Sequence, residues 1–247
     1  FTLTEPADLV ITSSSSVSPD GGYNISCYGG AGSVQVTVAG GIPGTYQYSW
    51  STSNGSGIVT GQEDQNSLGA GTYNLTVKDI NGCEETIVIT LSQPTQISLV
   101  LDEKNITCAT GVFNDGAINL IVSGGVAPYS YLWSNGASTE DISGLTEGTY
   151  SVTVTDFNGC TGAASGSVVN PPPLSYTRAI SDYNGYSISC FGLSNGSITV
   201  NTTSGSPPFI FSWTGPDGFT ATTQNITGLR AGTYILNISD SLACNVS

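Results

Sequence analysis

Gly148-Thr149-Tyr150-Ser151-Val152-Thr153-Val154-Thr155-Asp156-Phe157-Asn158-Gly159-Cys160 decides the fold. Tyr150, Val152 and Val154 alternate with Ser and Thr, the period-two signature of a strand with one dry face and one wet face. The strand then breaks at Asn158-Gly159, a pair typical of a tight turn between antiparallel neighbours. The same sentence is written twice more, from Gly71-Thr72-Tyr73 to Asn81-Gly82-Cys83 and from Gly232-Thr233-Tyr234 to Leu242-Ala243-Cys244. Self-similarity of this kind marks a tandem array of small domains.

Upstream of each copy sits a matching aromatic strand: Tyr46-Gln47-Tyr48-Ser49-Trp50, Tyr129-Ser130-Tyr131-Leu132-Trp133 and Phe209-Ile210-Phe211-Ser212-Trp213. Each copy opens at a cysteine, Cys27, Cys108 or Cys190, so the offset is about 80 residues, the size of one small sandwich. Val34, Val36 and Val38 alternate with Gln35 and Thr37, as Ile118, Leu120 and Val122 do with Asn119 and Ile121. Glycine pairs at Gly40-Gly41 and Gly124-Gly125 punctuate these runs, and no helical period interrupts them. The expectation is an all-β protein of three tandem immunoglobulin-like, PKD-like antiparallel β-sandwich domains in an elongated rod. At about 3.3 Å per strand residue the three extend beyond roughly 100 Å.

Ser92-Gln93-Pro94 and Asn170-Pro171-Pro172-Pro173 read as short stiff joints, because proline removes a ladder donor. Phe1-Thr2-Leu3-Thr4-Glu5-Pro6 is similar to Ile89-Thr90-Leu91-Ser92-Gln93-Pro94. Residues 1–6 therefore read as the end of a preceding repeat, 7–94 as repeat 1, 95–171 as repeat 2, and 172–247 as repeat 3. Repeat 3 lacks its own version of that last strand, so the chain reads as a piece of a longer array.

Net charge is −14, and Lys78, Lys104, Arg178 and Arg230 are the four cations of the 247 residues. Nucleic-acid binding, which needs several cations set against phosphates, is excluded as an expectation, and anionic membrane surfaces would repel the chain. No stretch approaches the ~20 apolar residues of a membrane span. Histidine is absent, so the usual general base is missing, and three small domains with filled cores offer no cleft for paired carboxylates. The chain is read as non-enzymatic, with no catalytic, cofactor-binding or metal residues assigned.

Trp50, Trp133 and Trp213 each end an aromatic strand aimed at a core and read as core residues in preference to sugar-stacking platforms. Leu68-x-x-Gly71-x-Tyr73, with its copies at Leu145, Gly148, Tyr150 and at Leu229, Gly232, Tyr234, matches a tyrosine corner. The cysteines fall as one pair per repeat. The simplest pairing joins them within repeats as Cys27–Cys83, Cys108–Cys160 and Cys190–Cys244, and implies an oxidising compartment. Zinc is disfavoured, since one cysteine pair without histidine cannot complete a tetrahedral site. Calcium competes for Asp79-Ile80-Asn81-Gly82, Asp156-Phe157-Asn158-Gly159, Glu63-Asp64 and Glu140-Asp141. The hairpin reading of the two turns is preferred, because repeat 3 has Asp240-Ser241-Leu242-Ala243 in place of the turn and Thr222-Thr223 in place of the acidic pair. Sequons such as Asn74-Leu75-Thr76 carry little weight in so Ser/Thr/Asn-rich a chain.

Gly124-Gly125 through Pro128-Tyr129, Tyr131, Trp133-Ser134-Asn135-Gly136, then Ile142-Ser143-Gly144-Leu145 and Gly148 to Cys160, strongly resembles the SprB-type repeat of Bacteroidetes surface proteins. Repeat 2 fits most cleanly. Repeat 1 carries a longer insertion, Ser53 to Gln65, and repeat 3 replaces the Asn-Gly before its last cysteine. The resemblance implies a very long adhesin exported by the type IX secretion system and displayed on the cell surface, with a stalk that supports attachment and gliding motility. The implied partners are extracellular surfaces or polysaccharides, and outer-membrane secretion and motility machinery through other parts of the protein. A carbohydrate-binding role is the alternative, through loops Ser53 to Gln65 or Ser138 to Asp141 and the tip residue Phe219.

Overall fold

A computed structural model of the chain describes residues 1–42, 44–108, 111 and 113–247. Among these the secondary structure is β throughout, except for one 3-10 turn at Pro216–Gly218. The first repeat contributes β1 (Ala7–Ser15), β2 (Gly32–Gly41), β3 (Gln47–Thr52), β4 (Gln65–Leu68), β5 (Gly71–Lys78) and β6 (Glu84–Leu91). The second contributes β7 (Ser98–Lys104), β8 (Gly116–Ser123), β9 (Ser130–Trp133), β10 (Ile142–Leu145), β11 (Gly148–Thr155) and β12 (Thr161–Val168). The third contributes β13 (Ser175–Ile180), β14 (Gly196–Ser204), β15 (Ile210–Thr214), β16 (Thr220–Ala221), β17 (Ile226–Leu229), β18 (Ile235–Ser239) and β19 (Asn245–Val246).

These strands form two small sheets per repeat, β1-β2-β4 with β3-β5-β6, β7-β8-β10 with β9-β11-β12, and β13-β14-β17 with β16-β15-β18-β19. In immunoglobulin lettering the strands run A, B, C, E, F, G, and the sheets are A-B-E and C-F-G. The expected immunoglobulin-like architecture is thus present three times. The ladders are antiparallel, as in Trp50 opposite Leu75 and Trp133 opposite Val152.

The chain divides into two compact units: Phe1–Val100 with Leu120–Glu140 and Ser151–Ala164, and Leu101–Asn119 with Asp141–Tyr150 and Ser165–Ser247. In the first, Val34, Trp50, Leu68, Tyr73, Leu75, Val77 and Leu91 belong to one core. Alternation along β5 is complete: Tyr73, Leu75 and Val77 are buried, while Asn74 between the first two is exposed. In the second unit, Val200, Phe211, Trp213, Leu236 and Ile238 form the corresponding core.

Each tryptophan is buried and donates its indole N–H to a carbonyl of the loop that follows: Trp50 to Gln62 at 2.9 Å, Trp133 to Thr139 at 2.9 Å, and Trp213 to Thr223 at 2.9 Å. The rings fill the cores, and the single polar atom of each ties down a connection. All three corner tyrosines close the turn four residues upstream, donating from Tyr73 toward Gly69, from Tyr150 to Thr146 and from Tyr234 to Arg230. Glycine is required where β2 and β8 end. A Cβ on Gly40 would lie 1.7 Å from the Asp8 carbonyl oxygen, and one on Gly124 would lie 2.0 Å from that of Gln96.

Trp133→Ala should cost about 3–5 kcal/mol of unfolding free energy, by the range for large aromatic truncations in a core. Leu132→Ala, one residue away but mostly exposed, should change it by less than about 0.5 kcal/mol. Denaturant titration of both variants measures the contrast.

Candidate functional site

The F–G turn of each repeat is organised around one buried aspartate, four residues before the second cysteine. Asp79 is 3% exposed; its Oδ1 accepts from the backbone N–H of Asn81 (3.0 Å) and Cys83 (2.8 Å), and its Oδ2 accepts from Ile42 N–H (3.0 Å). Asp156 does the same with Cys160 and Val126, and Asp240 with Leu242, Cys244 and Ser206. The B–C connection is thereby fastened to the F–G turn. Glycine leaves room for the carboxylate, since a Cβ on Gly125 would lie 2.9 Å from Asp156 Oδ2.

These N–H groups hold the Asp79 carboxyl below its ordinary value of 3.8, the Ile42 amide contributing most. Asp79 to Gly82 and Asp156 to Gly159 each form a tight turn, in which Gly82 N–H donates to Asp79 O and Gly159 N–H to Asp156 O, both at 3.1 Å. Asp64, half of an acidic pair weighed for calcium, likewise accepts from Val36 N–H at 2.8 Å. Its neighbour Glu63 lies against Tyr48, whose phenol is pushed up to about 12 by burial and then by Glu63. Among the described residues no group of three or more acidic or cysteine side chains converges as a metal site.

The cysteines pair between repeats, which corrects the expected bonds Cys27–Cys83, Cys108–Cys160 and Cys190–Cys244. The disulfides are Cys27–Cys160, with Cα atoms 5.6 Å apart, and Cys108–Cys244, with Cα atoms 4.7 Å apart; Cys83 and Cys190 are exposed thiols. The reason is geometric. Cys83 stands beside Glu84 at the start of β6, whereas Cys27 lies in the A–B loop, where Asn24 and Ile25 donate to Ser92 just past the other end of β6. Eight strand residues separate the two by roughly 26 Å, and a disulfide tolerates no more than about 7 Å between Cα atoms. The A–B cysteine of one repeat instead meets the F–G cysteine of the next.

Polar contacts reinforce both junctions. Asn158 accepts from Asp20 N–H at 3.1 Å and donates to Asp20 Oδ1 at 2.9 Å and to Ser26 O at 3.3 Å. Bonds from Ser18 and then Asn158 lower the Asp20 pKa from 3.8. At the other junction Cys108 N–H donates to Leu242 O at 2.8 Å. Nothing in the sequence signals the pairing of Asp20 with Asn158; only the recurrence of Asp four residues before each second Cys hints at a scaffold for the turn. Ser53 to Gln65, considered as a binding loop, packs on the corner tyrosine of its own repeat. Ser56 N–H donates to the Tyr73 hydroxyl at 3.0 Å, and buried Gln65 makes two 2.8 Å bonds to the Val59 backbone. Phe219 is half-buried, edge-on to Tyr234 with ring centroids 5.2 Å apart.

The site is a covalent junction between tandem immunoglobulin-like sandwiches. The SprB repeat family matches at residues 23–55, 102–138 and 187–218, each segment running from the region of the A–B loop past the core tryptophan, and these three matches support a SprB-type repeat region. No curated protein matches the chain. Of the solved structures, 33 chains match. One of them belongs to the crystal structure of Dpr2 Ig1-Ig2 in complex with DIP-Theta Ig1-Ig3; it is 12% identical, the match covers 90% of this chain and 92% of that one, and the TM-score is 0.28.

Because the folded-state pKa values of Asp20 and Asp79 are depressed, their contribution is fully present above 3.8 and is lost as pH falls through the lower folded values. The melting temperature should be level above about pH 5 and drop below it as these carboxylates protonate. Asp79→Asn should lower stability near neutral pH and flatten the acid drop, measured by thermal melts across that range.

Proposed function

We propose that the chain is a length of load-bearing stalk in a non-enzymatic cell-surface adhesin. The observation that carries this is the pair of overlapping disulfides between successive repeats. Three segments, 27–108, 108–160 and 160–244, connect the same two sulfur pairs. A pull on the chain ends is therefore shared in parallel, and extension stops when the shortest, 108–160, is taut. A domain evolved only to present a ligand loop has no need of such cross-linking, whereas a fibre under traction does. Disulfides persist in oxidising surroundings, which suits an extracellular location. The surface of Ser, Thr and Asn with net charge −14 keeps such a stalk soluble without attracting polyanions. In this reading the stalk is exported by type IX secretion, serves attachment and gliding, and holds extracellular surfaces or polysaccharides through the whole adhesin.

Single-molecule stretching tests the proposal. With both bonds intact the chain should reach a contour length of only roughly 280 Å, against roughly 840 Å after reduction, at about 3.4 Å per residue. Equal contour lengths in the two states would remove the mechanical reading.

A further inference from the structure

A cleft of about 340 Å³ opens beside the first disulfide, within the range of roughly 300–1,000 Å³ common to small-molecule sites. Three parts of the chain wall it: Cys27 and Tyr28 of the A–B loop in repeat 1, the joint from Pro94 to Ile97, and the B–C and F–G turns of repeat 2 at Gly125, Asp156 and Gly159 to Thr161. Bonds fix every wall. Cys27 is joined to Cys160, and Gly29 N–H donates to Gln93 Oε1 at 2.8 Å, so Tyr28 stands between two anchored neighbours. Gly125 N–H donates to Thr95 O at 2.9 Å and pins the joint to the B–C turn. Asp156 in turn ties that connection to the F–G turn through Val126 and Cys160. Walls set in advance spare a ligand the entropic cost of ordering them.

The chemistry of the walls selects the ligand. Tyr28 is 56% exposed, and with Pro94 and Ile97 it gives the cleft an apolar side. Thr95, Gln96 and Thr161 supply exposed hydroxyls and an amide, and among the described residues none of these three side chains has a hydrogen-bond partner. No lysine or arginine is among the lining residues, and the one carboxylate, Asp156, is buried. An anion would therefore meet that carboxylate and a chain of net charge −14 with no cation beside it. The walls match a neutral molecule that is apolar on one face and rimmed with hydroxyls. A pyranose ring has that form: its C–H groups lie against the negative face of an aromatic ring, and its hydroxyls both donate to and accept from Thr and Gln.

We infer that this cleft binds one sugar ring of a neutral polysaccharide, with Tyr28 as the stacking platform and Thr95, Gln96 and Thr161 as partners for the ring hydroxyls. The residue after the cysteine decides where such a site exists. At the second junction that residue is Ala109, which brings no ring, so the chain carries one site of this kind. The inference goes beyond the stalk reading, which needs only the two disulfides: a junction that takes a sugar makes the shaft itself adhesive. It also gives the Cys27–Cys160 bond a second role, since that bond holds the A–B loop with Tyr28 against the wall that carries Thr161.

The full chain, with its disulfides intact, is titrated with cellohexaose, maltohexaose and mannohexaose at millimolar concentrations, and with an alginate oligosaccharide and tetralysine as charged probes, while backbone amides are followed by NMR. At least one neutral sugar should give saturable shifts confined to residues 27–30, 94–97 and 159–161, and alginate should give none. Tyr28→Ala should weaken binding by about tenfold or more, and Gln96→Ala by about threefold, each with an unchanged melting temperature because both side chains are exposed. The inference is overturned if none of the three neutral sugars shifts those residues, if their shifts fall elsewhere, or if Tyr28→Ala binds as well as the unaltered chain. Shifts of the cleft by tetralysine alone overturn it too, and assign the site to a cationic peptide. The stalk reading is unaffected by each of these results, because contour length under tension and not sugar binding tests it.

Discussion

The carboxylate of one aspartate per repeat, closed inside a ring of backbone N–H groups, is the contact on which the rest depends. Asp79, Asp156 and Asp240 each fasten an F–G turn to a B–C connection, and each holds rigid the cysteine four residues on. Without that clamp the turn would be a mobile loop with a thiol on it. With it, the turn becomes a fixed projection that reaches the A–B loop of the preceding repeat, as Cys160 reaches Cys27 and Cys244 reaches Cys108. Buried carboxylates are costly unless fully hydrogen-bonded, and here the N–H donors offset the cost in each repeat.

The fold was legible because its signals are local and occur three times. Period-two alternation in Val34 to Val38 and Tyr73 to Val77 marks strands whatever they pair with, and the tryptophans and corner tyrosines carry their packing in their position along the chain. The cysteine partners were not legible in the same way. Spacing shows that each pair brackets the same strands, but it is silent on whether the two ends of a sandwich lie together or a strand-length apart. The β6 strand keeps Cys83 away from Cys27, and only the three-dimensional path of the chain reveals that the next repeat supplies the partner. The insertion Ser53 to Gln65 is legible as a surface loop, and most of it is exposed; what the sequence does not signal is its anchoring, by buried Gln65 on the Val59 backbone and by Ser56 on the Tyr73 hydroxyl.

Covalent linkage between neighbours changes what a repeat is. In an array of independent beads each sandwich opens alone and lengthens the fibre by its full contour. Here the A–B loop of one domain and the F–G turn of the next share a bond. Opening one repeat therefore strains its neighbour, and the weakest domain cannot unravel without limit. The polar clamp of Asp20 with Asn158 adds to the same junction. Cores of ordinary size thus acquire resistance to extension from a few atoms at their ends.

Disulfide mapping of the non-reduced protein is the most direct test. A peptic digest analysed by mass spectrometry should yield peptides joining Cys27 to Cys160 and Cys108 to Cys244. Peptides joining Cys27 to Cys83 or Cys108 to Cys160 would contradict the account, since they would confine every bond to a single repeat and leave the junctions without a covalent link.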